Sequence, residues 1–446
     1  MKAINYKNII DNFQEKIEEK PYLSLEGKVS RIIGVTIEST GPDSAVGDLC
    51  KIKLKNNKDA LAETVGFSDN KVLLMPFEDI SGLYVGAPVK KVGHNVTIKA
   101  DESILGHVLD GLGRPIDDLK FNPKETVKLY NNPPNPLTRK KIEEPISVGV
   151  KAIDGMLTLG KGQRISIMAG SGVGKSTLLG MIARNTEADI NIIGLIGERG
   201  REVREFIERD LGEEGLKKSI VIVSTSDQPA LMRVKALLTA TALSEYFRDK
   251  GHNVMLMVDS LTRWAMAQRE IGLSIGEPPA TRGYTPSVFA NLPKILERAG
   301  NSDKGNMTAI YTVLVEADDI NDPIGDTVRG IVDGHVVLSR KLADSAHYPA
   351  IEILGSISRL MTTVASEEHI EAARNIKELY AVYQDAKDLI DVGAYKKGSN
   401  PKIDKSIEHI DEIKDFLTQL TNEKITYSET IEQLVSINNK IKNQNL

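Results

Sequence analysis

The chain has 446 residues, of which 41% are hydrophobic and 27% are charged, and its formal net charge is −5. The length predicts about two or three domains, and the composition is typical of a soluble globular protein. Because the charge balance is acidic and no long basic stretch occurs, we expect no nucleic-acid partner. The single cysteine, Cys50, cannot form an internal disulfide, which fits a reducing compartment. We find neither a secretory signal nor a run of about 18 apolar residues, so we expect a cytoplasmic protein.

Residues 1–20 are polar and charged, and their few apolar residues follow a helical spacing. Ile10, Phe13 and Ile17 recur at positions i, i+3 and i+7, which predicts a short amphipathic helix. A helix of this length is not stable alone in water. Its apolar stripe therefore packs either on a partner protein or on its own domain, and the sequence does not distinguish the two.

Residues 21–97 form the next predicted domain. Short β-branched runs occur at Lys28–Ile37, Leu49–Lys55 and Val72–Met75, with turn residues between them. Several short strands at close spacing predict a small β-barrel or sandwich, and we favour the barrel. No catalytic group of residues is visible in this segment.

Residues 98–366 are predicted to form a domain of alternating strands and helices. The domain opens with a connector, residues 105–150, in which the stretch Pro133–Pro136 is stiff because proline fixes φ. Beyond it we predict strands at Arg164–Met168, Ile190–Ile196, Ser219–Ser224, Val254–Val258, Ala309–Val315 and His335–Ser339. Continuous apolar strands with helices between them predict an α/β fold, a mainly parallel sheet with helices on both faces.

Residues 367–446 have helical spacing throughout. Ile403, Ile407 and Ile410 keep this spacing, and Gly398–Pro401 separates the first helix from the next. We therefore predict a C-terminal helical domain.

The stretch from Ile165 to Leu179 carries the strongest functional motif, a strand, a glycine-rich turn and the start of a helix. In such a turn backbone N–H groups close around phosphates, while Lys175 brings a charge to the β/γ oxygens and Ser176 offers a hydroxyl to Mg²⁺. The positive end of the helix dipole points at the same phosphates. The predicted phosphate-binding residues are Ala169, Gly170, Ser171, Gly172, Val173, Gly174, Lys175, Ser176 and Thr177. Ala169 stands where the usual pattern has glycine, and as the smallest replacement it should leave the loop intact.

Two carboxylates follow apolar runs that we predict to be strands. Asp259 ends the run Val254–Val258, where a P-loop ATPase places the carboxylate on the metal side of its nucleotide. Glu198 follows the run Ile192–Ile196 and can orient or deprotonate a water beside the γ-phosphate. Chemistry alone does not choose between Glu198 and Glu202. Because Glu202 lies further into the following helix, we favour Glu198.

Tyr348 and Arg359 lie near the end of the predicted sheet domain. A tyrosine can stack on a base, and an arginine can reach a phosphate. Neither role is recognisable from composition, since a lone arginine after a loop is usually a surface residue.

The chain from about Leu25 to Arg359 resembles the rotary ATPase family, which includes the catalytic subunits of ATP synthases. The motifs that carry this resemblance are Ala169–Ser176, Gly197–Arg199, Asp259–Arg263 and Tyr348–Ile351. Within that family the chain is most similar to the flagellar type III export ATPases. The narrower resemblance rests on Gly34–Pro42, Pro134–Arg139, Gly276–Phe289, Glu316–Asp319, Asp322–Ile324 and Asp333–His335.

The resemblance implies a role for the motif residues around the phosphates. Lys175 and Ser176 hold the phosphates of ATP and its Mg²⁺. Glu198 is the catalytic base, and Arg199 supports the γ-phosphate region. Asp259 holds the water shell of the metal.

The resemblance also implies that Tyr348 stacks on adenine and that Arg359 enters the neighbouring subunit's site as an arginine finger. A finger supplied in trans requires a ring with ATP between subunits. Because this chain carries both Glu198 and Arg359, one gene product can supply both halves of every site. We therefore expect a homohexamer.

The resemblance implies a function in energising flagellar protein export, with several partners. These are a dimeric regulator bound by the N-terminal helix, a central stalk protein in the ring pore, export substrates with their chaperones, and a membrane export gate. The same resemblance places the protein at the inner face of the cell membrane, as a peripheral component of the export apparatus.

Four alternatives remain open at this point. A virulence-type injection ATPase is separated poorly by sequence from a flagellar one. A rotary synthase or vacuolar-type subunit would need a second, non-identical ring subunit. A ring helicase similar to the terminator Rho would need basic and aromatic residues in its barrel, where this chain has mixed charge and few aromatics. A regulatory nucleotide-binding subunit without turnover is disfavoured by the joint presence of Lys175, Glu198 and Asp259.

Overall fold

The computed structural model describes residues 25–56, 58–117, 122–315 and 322–443. The predicted amphipathic helix in residues 1–20 lies outside the described residues, as does the stretch Glu316–Asp319. The chain divides into two compact units. The first unit runs to Val96 and includes Ser274–Gly276, and the second contains the rest of the chain from Thr97 onward.

The first unit is a closed barrel whose strands follow one another in the order β1-β2-β5-β4-β3-β6. The strands are β1 Gly27–Ile33, β2 Thr36–Ser39, β3 Asp48–Lys53, β4 Asp59–Ser68, β5 Lys71–Pro76 and β6 Pro88–His94. Alternate residues such as Val29, Cys50 and Ile52 point into the core and are buried. The predicted run Lys28–Ile37 is in fact two strands, because Gly34 at φ +57° makes the turn between them. Barrel closure confirms the barrel over the sandwich.

The second unit is built on an eight-stranded sheet of order β18-β17-β12-β16-β15-β13-β14-β8. All neighbouring strands are parallel except β17 and β18. The strands are β8 Val108–Asp110, β12 Arg164–Ala169, β13 Ile190–Ile196, β14 Ser219–Ser224, β15 Asn253–Asp259, β16 Asn306–Leu314, β17 Gly334–Leu338 and β18 Ile357–Ser358. Every residue of β13 and β14 is buried, which requires helices on both faces of the sheet.

Two small antiparallel sheets accompany the large one. Thr97–Ala100 (β7) pairs with Glu125–Lys128 (β9), and Pro145–Ile146 (β10) pairs with Leu159–Gly160 (β11). The segment predicted as a connector thus supplies several strands, including β8 at one edge of the large sheet. Strand β8 has only three residues and ends in a turn, so its local pattern resembles a loop.

The helices of the second unit alternate with its strands and then continue to the C-terminus. They are α1 Lys151–Met156, α2 Lys175–Asn185, α3 Gly200–Glu205, α4 Gly212–Lys217, α5 Ala230–Asp249, α6 Leu261–Ser274, α7 Pro286–Leu296, α8 Pro323–Ile331, α9 Arg340–Asp344, α10 Met361–Val364, α11 Glu367–Asp391, α12 Pro401–Leu417 and α13 Tyr427–Asn443. Within the described residues, no helix combines the length and apolar character needed to cross a bilayer.

The last three helices, α11 to α13, form the predicted helical domain. Their buried residues, among them Ile376, Ile410 and Leu434, join the core that also contains the buried strands of the sheet. One continuous core therefore connects the C-terminal helices to the sheet, and the loop between α12 and α13 is positioned by this packing.

Candidate active site

Three motifs meet where the parallel strands β12, β13 and β15 end. The phosphate-loop motif follows β12, Glu198 lies two residues after β13, and Asp259 is the last residue of β15. Strands β13 and β15 are neighbours, with Leu195 paired to Asp259, and β16 lies between β15 and β12. The carboxyl ends of parallel strands share one edge of a sheet, which is where such sheets bind ligands.

The glycine-rich turn has the backbone conformation that its sequence predicts. Gly172 has φ +77° and Gly174 has φ +91°, a region that favours glycine. Gly174 is the N-cap of α2, so the free N–H groups of the first helical turn begin at Lys175. Ala169 is an ordinary strand residue, and its carbonyl accepts a hydrogen bond of 3.0 Å from the Val315 N–H. Alanine in place of glycine therefore causes no strain there.

Lys175 lies between two carboxylates. Its ammonium donates to Oδ1 of Asp259 and is 3.6 Å from Oε1 of Glu198. Burial alone would lower the pKa of Lys175, but its attraction to Asp259 and Glu198 outweighs burial, so the pKa is raised. The lysine is therefore a fixed positive charge at the mouth of the phosphate loop.

The carboxyl group of Glu198 is mostly buried and is not fully neutralised. Burial is the largest cause that raises the pKa of Glu198, to about 7, and repulsion from Asp259 adds to it. Attraction to Lys175 opposes this shift and Glu202 supports it. Among the described residues, Oε1 of Glu198 has no hydrogen-bond partner. A carboxyl with a pKa near neutrality is suited to accept a proton.

Asp259 and Ser176 are the residues with oxygen atoms that could hold a metal arriving with a substrate. Oδ1 of Asp259 accepts from the Thr312 hydroxyl at 2.8 Å as well as from Lys175, while Ser176 is exposed at the start of α2. In the parts of the chain that the structure covers, no three His, Cys, Asp or Glu side chains come close enough to hold a metal alone. This donor set fits Mg²⁺, which is commonly held by one or two protein oxygens together with substrate phosphates and water.

Arg199 lies outside this cluster and pairs with Glu202, whose carboxyl in turn interacts with Glu198. The side chain of Arg199 is 76% exposed, and its guanidinium donates to Oε1 of Glu202 at 3.5 Å. The structure does not bring Arg199 to Lys175, although the resemblance placed it at the γ-phosphate. Exposed pairs of this kind contribute little to stability.

Tyr348 lies beside the phosphate loop. Its ring is so close that a Cβ placed on Gly174 would be 3.6 Å from two ring carbons. The side chain is also accessible, since Tyr348 is 45% exposed. An accessible aromatic ring next to the loop can stack on a base whose phosphates the loop holds.

Arg359 lies near the amino ends of the strands of the same sheet, opposite the ends that carry Lys175, Glu198 and Asp259. It follows β18, whose Ser358 pairs with Gly334 at the start of β17. The Ser358 hydroxyl also accepts from the side chain of Gln163, which directly precedes β12. Strand β12 has six residues, so its two ends are about 17 Å apart at about 3.3 Å per residue. The exposed Arg359 therefore faces away from the Lys175 cluster of its own chain.

The structure brings two further arginines, Arg263 and Arg340, to the site. A Cβ on Gly197 would lie 2.8 Å from Cβ of Arg263, and Nε of Arg263 is buried with no hydrogen-bond partner among the described residues. Arg340 donates to the carbonyl of Ser171 in the phosphate loop at 3.2 Å. Arg263 belongs to the motif that follows Asp259, which was a usable signal, whereas nothing near Arg340 in the sequence marks it.

Comparison with known protein families assigns the three parts of the chain separately. Residues 29–93 match the ATP synthase alpha/beta family β-barrel domain, and residues 149–358 match the nucleotide-binding domain of the same family. Residues 365–436 match the T3SS EscN ATPase C-terminal domain. The last match is specific to type III secretion.

Relatives match over nearly the whole chain. The flagellum-specific ATP synthase of Bacillus subtilis is 55% identical over 92% of this chain and 94% of its own length. The type 3 secretion system ATPase of Xanthomonas euvesicatoria is 47% identical over 92% of this chain and 93% of its own length. The solved structure of the assembled ATPase EscN from enteropathogenic E. coli has a TM-score of 0.88 and 47% identity, covering 92% of this chain and all of that one.

Identity of this extent, together with the three domain matches, settles the relationship and the enzyme class. The chain belongs to the ATP synthase alpha/beta family and, within it, to the ATP-hydrolysing group that contains the flagellum-specific ATP synthases and the type III secretion ATPases.

Proposed function

We propose that this chain hydrolyses ATP at the Lys175 cluster within a homohexameric ring, and that the hydrolysis energises export of flagellar proteins. The single observation that carries the proposal is the meeting of Lys175, Glu198 and Asp259 where three parallel strands end. This arrangement occurs in a chain 55% identical to a flagellum-specific ATP synthase. Fold and site thus lead to the same activity.

Hydrolysis of the terminal phosphate requires a water held in line with the bond that breaks. We assign Glu198 as the base that orients this water and takes its proton, because its carboxyl has a raised pKa and lies 3.6 Å from the Lys175 ammonium that binds the phosphates. The N–H groups of the phosphate loop and the Lys175 ammonium bind the phosphate oxygens and stabilise the charge that they gain. Tyr348 covers the adenine.

We assign the hydroxyl of Ser176 and the carboxylate of Asp259 to the magnesium ion that accompanies ATP. When bound, Mg²⁺ neutralises part of the triphosphate charge. Lys175 and Thr312 both donate to Asp259, so its carboxylate is held in one orientation before substrate arrives. We also assign Arg199 to the γ-phosphate region. Its side chain is exposed without substrate, so it has to turn inward to reach the phosphate.

The ring follows from the position of Arg359. This side chain lies at the edge of the sheet opposite Lys175, so it fits a finger donated to the next subunit better than one that acts within its own chain. A surface that carries the finger and a different surface that receives it form a head-to-tail contact, the type of contact from which closed rings are built. The solved relative EscN is described as an assembled ATPase, and a second structure shows it with its central stalk EscO.

We further propose a division of labour among four segments. Residues 1–20 bind the dimeric regulator, and residues 21–97 form the barrel domain. Residues 98–366 hydrolyse ATP, and residues 367–446 lie near the export gate. A stalk protein occupies the ring pore. These partners place the ring in the cytoplasm, at the inner face of the cell membrane.

A virulence-type injection system is the second candidate for the biological setting. It is favoured by the 47% identity to the Xanthomonas type 3 secretion system ATPase and by the EscN structure. The higher identity to the Bacillus flagellum-specific protein favours the flagellum. Deletion of the gene followed by assays of motility and of effector secretion separates the two, because only the affected system loses its exported proteins.

The activity itself is tested by measuring ATP turnover of the purified chain against its concentration, with particle size followed in parallel. We expect turnover per chain to rise steeply as hexamers form, since Glu198 and Arg359 then meet at subunit contacts. Equal turnover by monomer and hexamer would remove Arg359 as a finger. Absence of turnover at every concentration, with the ring assembled, would contradict the proposal that one chain suffices.

A further inference from the structure

The loop between α12 and α13, residues 418–426, contacts the tyrosine that lies beside the phosphate loop. The backbone N–H of Gln419 donates to the carbonyl of Tyr348 at 2.9 Å. Gln419 belongs to the part of the chain that matches the type III C-terminal domain, whereas Tyr348 belongs to the nucleotide-binding domain. This hydrogen bond therefore joins the two domains at the proposed base site.

The side chain of Gln419 fixes its own backbone in place. Its Oε1 accepts from the Lys151 N–H at 2.8 Å, and its Nε2 donates to the carbonyls of Gly149 at 3.0 Å and Glu423 at 3.1 Å. Gln419 is only 6% exposed, so the loss of any of these bonds would leave a polar group without water. One amide therefore ties its own loop to the start of α1.

Gly149, whose carbonyl accepts from the Gln419 side chain, lies in a tightly packed segment. The Gly149 N–H donates to the buried carboxylate of Asp154 at 3.0 Å, and Gly149 has φ +66°. A Cβ at Gly149 would lie 2.3 Å from Cβ of Asn185, so no side chain fits there. Gln419 is thus bonded to a tightly packed segment, and its own N–H fixes the backbone of Tyr348.

The same loop has two further anchors. The Lys151 ammonium is 3.3 Å from the Glu423 carboxylate, and the Arg184 guanidinium donates to the Thr421 carbonyl at 2.6 Å. Arg184 lies in the last turn of α2, the helix that begins at the phosphate loop. The loop is therefore anchored both to the start of α1 and to the C-terminal end of α2.

Tyr348 depends on such an anchor because its side chain is not packed on all sides. It is 45% exposed, while the preceding residue, His347, is held within its own segment by a 3.0 Å bond from its N–H to the Leu342 carbonyl. We infer that Gln419 is a positioning residue that holds the Tyr348 ring in the place where it meets the base of ATP. The inference rests on the proposed role of Tyr348.

The direct test is the substitution Gln419→Met, which keeps the length of the side chain and removes its hydrogen bonds. We expect the KM for ATP to rise about tenfold and kcat to change by less than about twofold, because base binding weakens while the phosphate chemistry stays intact. In a Tyr348→Ala background the same substitution should change KM by less than about twofold. An unchanged KM, or an equal rise on both backgrounds, would overturn the inference.

Two companion variants keep the test decisive. Asn438→Leu removes the hydrogen bond that the buried Asn438 accepts from Asn375 at 3.0 Å within the helical domain, and it contacts neither Tyr348 nor Gln419. It should lower Tm without raising KM. If Gln419→Met fails to fold, Gln419→Asn replaces it, and we expect an intermediate rise in KM because the shorter amide cannot reach both ends. An unchanged KM in a folded Gln419→Asn would equally overturn the inference.

Failure of this inference can be distinguished from failure of the proposed function. A wild-type chain without ATP turnover would overturn the function. Normal wild-type turnover, with the KM unaffected by Gln419→Met, would overturn only the positioning role.

Discussion

The two ends of strand β12 differ in charge, in burial and in what they still lack. At the carboxyl end, Lys175 is enclosed by Glu198 and Asp259, and their side chains are 15% exposed or less. At the amino end, the Arg359 side chain is exposed, and its backbone N–H donates a 2.9 Å hydrogen bond to the Asp333 carbonyl. The carboxyl end thus holds the proposed base and a second carboxylate around Lys175, and the amino end holds an exposed cation. The difference suggests that a complete site forms only where the carboxyl end of β12 in one copy meets the amino end of β12 in another.

The largest expected effect comes from removing the cation at the amino end. Arg359→Ala should reduce kcat by about 10³- to 10⁵-fold, the range known for arginine fingers, while ATP still binds. Steady-state turnover of the assembled ring gives the value. Arg359→Lys should also be poor, since an ammonium lacks the forked donors of a guanidinium.

A matched control is available on the surface of the same domain. Arg204 is 78% exposed and pairs with Glu208 one helical turn away. Arg204→Ala should leave turnover within about twofold of wild type. Equal losses in both arginine variants would mean that general surface charge, and not a finger, explains the result.

The next largest effect comes from removing the base at the carboxyl end. Glu198→Gln should lower kcat by about 10²- to 10⁴-fold, because a positioned base contributes about that much, while the ATP dissociation constant stays similar. Equilibrium binding and turnover are measured on the same preparation. Glu208→Gln is the control, since Glu208 is 61% exposed and pairs with Arg204. Normal turnover of Glu198→Gln would remove Glu198 as the base.

The smallest effect concerns pH. The pKa of Glu198 is raised to about 7, first by burial and then by Asp259, so the base is protonated below that pH and free above it. We expect kcat/KM to rise with pH through about 7, by close to tenfold per unit on the acidic side. Since Glu202 helps to raise this pKa, Glu202→Gln should move the rising limb to lower pH. A profile that is flat from pH 5 to 8 would contradict a base with this environment.

Sequence predicted the carboxyl end of β12 well because its signals are local. The motif from Ala169 to Ser176 specifies a strand, a turn that needs φ above zero, and a helix start within eight consecutive residues. The burial of Asp259 follows from the apolar strand that it ends. The same kind of local signal predicted the parallel sheet and the C-terminal helices.

The features that sequence missed depend on distant residues. Gln419 donates a hydrogen bond to Gly149, which is 270 residues away in the sequence, and no local pattern near either residue predicts this contact. Strand β8 falls in the segment that the sequence predicts to be a connector, because three residues before a turn show no periodicity. The sequence favours Glu198 over Glu202 from helix position alone, and the structure adds that the Glu198 side chain is the more buried of the two. Such contacts are fixed by the fold as a whole.

The central claim is that one kind of chain supplies both halves of each site, and mixing two inactive variants tests it most directly. Arg359→Ala retains the base, and Glu198→Gln retains the finger. When equal amounts assemble at random, about one interface in four joins an intact Glu198 to an intact Arg359. We predict that turnover recovers to about a quarter of wild type once subunits have exchanged. Turnover no higher than the sum of the two separate variants, in rings shown to be mixed, would contradict the account.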